Sequence, residues 1–135
     1  MAKALGTDDS ITTCDCCGKS NLKFTVTIEL DDGELVHYGQ VCAQRNTGKD
    51  RKTINTEIRT EAQRVRKAAA NEYAATPEHK IYMARLQERN SLSWDDPRRI
   101  GRAGYEFVRE ADQAADAARA MIAAKFGLLP HEVHA

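Results

Sequence analysis

The sequence predicts an α+β protein that is mostly α: an N-terminal cysteine knuckle and β-hairpin, then two or three helices, the last one long. Three observations predict it. All four cysteines lie between positions 14 and 42. Residues 23–30 alternate apolar and polar side chains, the period of a half-buried strand. From Ile54 onward, apolar residues instead recur every three or four positions, the period of a helix.

Composition sets the scale. The chain has 135 residues, enough for one domain or a small module with a helical extension. Hydrophobic residues make up 41% but aromatics only 6%, so much of the apolar content is alanine. Alanine favours helix yet buries little area, which predicts a helical body with a thin core. A lobe below roughly 70 residues needs a staple such as a metal or a disulfide.

Taken in order, residues 1–13 read as a flexible lead-in, and Cys14-Asp-Cys-Cys-Gly-Lys19 as a tight turn. Phe24, Val26, Ile28 and Leu30 share one face of the first strand. Asp31-Asp-Gly-Glu34 reads as a hairpin turn and Leu35–Tyr38 as the return strand. Cys42 opens a short helical turn that Gly48 stops, which closes a lobe over 14–48. The helical region, 49–127, begins with the stripe Ile54, Ile58, Ala62, Val65, Ala69 and Tyr73. Thr76 and Pro77 are the cap and first residue of a second helix reaching Glu88. Asp96 and Pro97 repeat that signature for a third helix reaching Phe126, roughly 45 Å long at 1.5 Å per residue. Residues 128–135 read as a flexible tail.

The cysteines carry the chemistry. Cys16 and Cys17 are adjacent, so two ordinary disulfides are awkward, and a metal is the better reading. Cys14 and Cys17 are spaced C-x2-C with Gly18 after them, a knuckle that turns both sulfurs toward one point. Cys42 follows the hairpin and opens a helical turn, whose dipole favours a thiolate there. Zinc takes four ligands in a tetrahedron and prefers thiolates. One structural zinc ion on Cys14, Cys17 and Cys42 therefore fits, and the fourth ligand depends on the hairpin register. With a two-residue Asp32-Gly33 turn, His37 faces inward with Phe24 and Val26; with three residues it points outward. The preferred set is Cys14, Cys17, His37 and Cys42, and Cys16 is the alternative fourth ligand.

Cys14-x-x-Cys17-Gly-Lys, Leu22-Lys23, the alternating strand and Tyr38-Gly39-x-x-Cys42-Ala43 together resemble small zinc-finger proteins encoded by phages of actinobacteria. The resemblance covers residues 13–48 and implies a knuckle–hairpin–helix unit similar to the treble-clef or zinc-ribbon group. It differs from a typical treble clef in having one ligand, not two, at the helix start. These proteins generally lack an assigned function.

Net charge is zero, but it is unevenly spread. Residues 1–42 hold three basic and seven acidic side chains, whereas 43–70 hold eight basic and three acidic. Arg45, Lys49, Arg51, Lys52, Arg59, Arg66 and Lys67 are the candidate phosphate-tracking residues. An ordinary solvated face, with Glu57 and Glu61 interleaved, is the competing reading. His131-Glu-Val-His134 lacks the four-residue histidine spacing of a zinc protease, and Asp95-Asp96 serve as helix caps. The chain shows neither a signal-peptide pattern nor a membrane span, so a cytoplasmic location is expected.

Two functions are compatible with this reading: a nucleic-acid-associated zinc module, or a factor that engages a host or phage protein through its helices. The long last helix is also a candidate homodimer face. Enzymatic activity is not expected.

Overall fold

In the computed structural model, residues 2–134 are described. The protein is α+β and mostly helical, with a three-stranded antiparallel sheet followed by four helices, the last long. It divides into two compact units, Met1–Arg64 and Val65–Ala135. The expected boundary at 48/49 therefore moves into the first long helix, because that helix buries Ile54 in the core of the first unit and packs the half-buried Ile58 against it.

In the first unit, β1 (Lys3–Asp8), β2 (Thr25–Glu29) and β3 (Leu35–Tyr38) form the sheet in that order. The strand β1 corrects the expected flexible lead-in over 1–13. It pairs Ala4 with Ile28 and Thr7 with Val26, with a register shift between Ala4 and Gly6. That extra residue breaks the two-residue alternation that would have marked a strand in the sequence.

The hairpin joining β2 and β3 has a three-residue loop. Leu30 N–H donates to Glu34 O at 2.8 Å, and Gly33 takes φ +87°, left-handed backbone that glycine favours. Thr27 consequently pairs with His37, and Ile28 with Val36. The two-residue turn with His37 facing inward is thereby corrected.

Helix α1 (Gln40–Thr47) is closed by Gly48 in a left-handed C-cap. Helix α2 (Arg51–Ala74) follows and contributes residues to both units. The core of the first unit is Ala4, Val26, Ile28, Ala43 and Ile54, with Phe24, Val36 and Tyr38 packed around it. Polar ties hold β1 to α2. Glu57 accepts the Ala4 N–H at 3.0 Å and pairs with Lys49, whose ammonium also donates to Ala2 O at 2.8 Å.

In the second unit, α3 (Pro77–Asn90) packs on α4 (Gly101–Lys125), and the last part of α2 meets α4 through Ala69 and Tyr73 and α3 through Tyr73 on His79. Thr76 caps α3, accepting from His79 N–H, as its sequence predicts. The third predicted helix starts later than expected. Asp96 and Pro97 open a 3-10 turn over Pro97–Arg99, Ile100 is extended, and α4 begins at Gly101. That turn folds back on α4 so closely that a Cβ on Gly104 would meet Arg99 backbone at 3.0 Å.

The core here is Ala69, Tyr73, Ile122, Ala123 and Val133, with Phe126 and Leu128 beside it. Val133 is fully buried, and Glu132 pairs with Arg66 at 2.6 Å, which corrects the flexible tail over 128–135. A single apolar residue after a proline carries no periodicity to announce it. Among the described residues, no helix is long and apolar enough to cross a membrane.

Candidate metal centre

The knuckle is built by backbone bonds. Cys14 N–H donates to Lys19 O at 2.9 Å and Gly18 N–H to Cys14 O at 2.9 Å, with Gly18 at φ +75°. Asp15 then ties this turn to β3 in both directions. Its N–H donates to His37 O at 2.8 Å, and its carboxylate accepts the His37 N–H at 2.8 Å. Asp15 is the positioning residue that sequence reasoning passed over. Its only trace in the sequence is an acid inside the C-x2-C spacer.

Helix α1 brings the third sulfur. Gly39 precedes it as N-cap, and a Cβ there would lie 3.3 Å from Leu22 Cδ1 and 3.9 Å from Cys14 Cβ. The start of α1 is thus held against the knuckle, with Cys42 in the first turn of the helix. The sulfurs of Cys14, Cys17 and Cys42 all lie within 4.8 Å of one another. Cys14 and Cys42 are buried, while Cys17 is exposed.

The environment of these thiols suits a cation. Burial alone would push the Cys14 thiol up. Backbone N–H groups of Cys17, Gly39 and Cys16, with the Cys42 thiol, instead draw it down from 9.0 to about 7. Cys42 moves the other way, pushed up to about 12, chiefly by the neighbouring Cys17 and Cys14 thiols and then by burial. The Gly39 N–H at the start of α1 thus also favours a thiolate on Cys14. Several thiols crowded this closely cannot all ionise without a positive ion among them. Zinc–sulfur bonds near 2.3 Å place tetrahedral sulfurs roughly 3.8 Å apart, a spacing compatible with sulfurs that lie within 4.8 Å of one another. Three convergent cysteines fit a thiolate-preferring ion and are compatible with a zinc site.

The other predicted residues are distributed as follows. His37 is not brought into the trio. It lies opposite Thr27, whose hydroxyl is 3.3 Å from its Nδ1, on the strand face away from Val26 and Ile28. The Cys16 sulfur also stands outside the trio, exposed, with the Asn46 amide donating to it at 3.4 Å. Of the basic set, Lys49 is engaged with Glu57 and Ala2, and Arg66 with Glu132, so neither is a free cation. Arg45, Arg51, Lys52 and Arg59 in the first unit, and Lys67 in the second, carry no ion pair among the described residues. No protein-family model, curated protein or solved structure matches this chain.

Beside the trio lies a depression of about 330 Å³, bordered by Lys19, Lys23, Phe24, Gln40 and Val41. A second depression shares Phe24 and Gln40 with it and continues to Gln44, Arg51 and Asn55. No Asp or Glu lines either one. The acids Glu29, Asp31, Asp32 and Glu34 belong to the hairpin instead. Sequence reasoning missed Lys19 and Lys23 as members of this surface, because they lie in a segment of net negative charge.

Proposed function

We propose that this chain is a small zinc-binding module, similar to the phage zinc-finger proteins it resembles, whose first unit binds the phosphate backbone of nucleic acid. One zinc ion on the three cysteines acts as a structural staple, since a unit of this size has too little core to be secure without one. The observation that carries the binding reading is the acid-free run of Lys19, Lys23, Gln40, Gln44, Arg51 and Asn55. Cations neutralise phosphate, amides hydrogen-bond it, and the apolar faces of Phe24 and Val41 suit unstacked bases.

The test is titration of labelled single-stranded and duplex DNA across a range of salt. Affinity should fall steeply as salt rises. In the Lys23→Ala and Arg51→Ala variants, the salt slope on single strands should shrink by about 0.7 per lost contact. Binding that is absent, or indifferent to salt, overturns the reading.

A second reading, a protein-interaction factor acting through its helices, is favoured by large apolar side chains left exposed in the second unit. Trp94 is 80% exposed and Met121 75%. It predicts a complex recovered from lysate in the presence of nuclease and lost in Met121→Asp. For a homodimer through α4, the same variant should lower the sedimenting mass by half.

A further inference from the structure

Three sulfurs leave one vertex of a tetrahedron to be filled, and the surrounding side chains differ in their freedom to fill it. His37 lies opposite Thr27 on the strand face away from Val26 and Ile28, with its Nδ1 3.3 Å from the Thr27 hydroxyl and its backbone tied to Asp15. The Asp15 carboxylate is committed in turn to the His37 N–H at 2.8 Å. Cys16 has neither commitment. Its sulfur stands outside the trio, and Asn46 links it to the backbone of Cys42.

Asn46 holds Cys16 at that place. Its amide nitrogen donates to the Cys42 carbonyl at 2.8 Å and to the Cys16 sulfur at 3.4 Å. One side chain of α1 thus joins the carbonyl of an assigned ligand to the sulfur of the remaining cysteine. Amide donation to a sulfur is what a metal-bound thiolate accepts, because it spreads the excess negative charge of the sulfur set. Cys16 is exposed, so its χ1 can change without disturbing the core.

We propose that Cys16 supplies the fourth sulfur, making an all-thiolate centre of Cys14, Cys16, Cys17 and Cys42, with Asn46 as the outer hydrogen-bond donor to Cys16. The inference rests on the metal reading of the trio and extends it. An all-thiolate centre has no ligand exchangeable for substrate, which is the closed arrangement of a structural ion. The zinc releases the thiol protons on binding, and four thiolates around it carry a net charge of −2. The backbone N–H groups at Cys14 and the Asn46 amide at Cys16 offset part of that charge.

X-ray absorption at the zinc edge tests this on the full-length chain loaded with one equivalent of zinc. The expected result is four sulfurs near 2.3 Å with no nitrogen or oxygen shell at about 2.0–2.1 Å. His37→Ala should leave that shell intact. Cys16→Ser should lose one sulfur and bind zinc at least about tenfold more weakly. Three sulfurs with one nitrogen or oxygen in the unmodified chain overturns the assignment of Cys16 and leaves the trio standing. A chain that takes up no zinc overturns the metal reading itself, and the assignment of Cys16 with it.

Discussion

Glu61 shows how single side chains on α2 secure the first unit. The Arg64 guanidinium beside it, and after that Lys3, hold its carboxyl down at about 2 against an ordinary 4.5, although burial opposes them. A depressed folded-state value means a contribution that is complete above pH 4.5 and lost as pH falls through about 2. Arg64 and Lys3 are both substantially exposed, so screening limits the contribution to about 1 kcal/mol. Glu61→Gln should be less stable than the unmodified chain by that amount at pH 7, and the two should converge near pH 2 in acid unfolding curves. Gly104 gives a sharper test, because two effects have opposite signs. An alanine inside a helix ordinarily gains about 1 kcal/mol over glycine. Here its Cβ would press on Arg99 backbone atoms at 3.0 and 3.1 Å. Gly104→Ala should therefore lose about 1–3 kcal/mol in urea unfolding; a gain would contradict the described fold of the 3-10 turn against α4.

Among the elements, β1 and α3 are the most instructive. Strand β1 is an edge strand held to α2 by Glu57, through the Ala4 N–H and Lys49. Glu57→Ala leaves both donors without that partner, so amide exchange at Ala4 should accelerate and stability fall by about 2 kcal/mol. Helix α3 buries no residue fully, whereas α4 buries Gly104, Val108, Ala115, Ile122 and Ala123. Exchange in α3 should outpace that in the middle of α4. The elements also show what a sequence can convey. Strand β2, α1 with its Gly48 stop, and α3 with its Thr76-Pro77 start were legible because period and caps are local signals. Strand β1 was hidden by its bulge, and the terminal anchor because Leu128, Glu132 and Val133 follow no periodic pattern. The hairpin register was ambiguous because a glycine after two aspartates suits either a two- or a three-residue loop. That ambiguity decided the place of His37. The cysteine trio was legible from spacing, while Asp15, Lys19 and Lys23 were not, because their roles depend on neighbours distant in sequence.

For the molecule as a whole, the two units have separate cores and the cysteine trio lies in only one of them. Removing the metal should loosen the sheet and α1 while leaving the surroundings of Tyr73, its tilted ring contact with His79 and the Arg119 guanidinium over its ring, as they are. Chelation followed by side-chain NMR should thus shift Val26 and Ile28 resonances and spare those of Tyr73. The central claim is that Cys14, Cys17 and Cys42 together hold one metal ion. Native mass spectrometry of the zinc-treated full-length chain tests it most directly. The account predicts the mass of the chain plus one zinc, with the adduct lost in Cys42→Ser; an unmodified chain that carries no zinc, or a Cys42→Ser chain that keeps it undiminished, would contradict it.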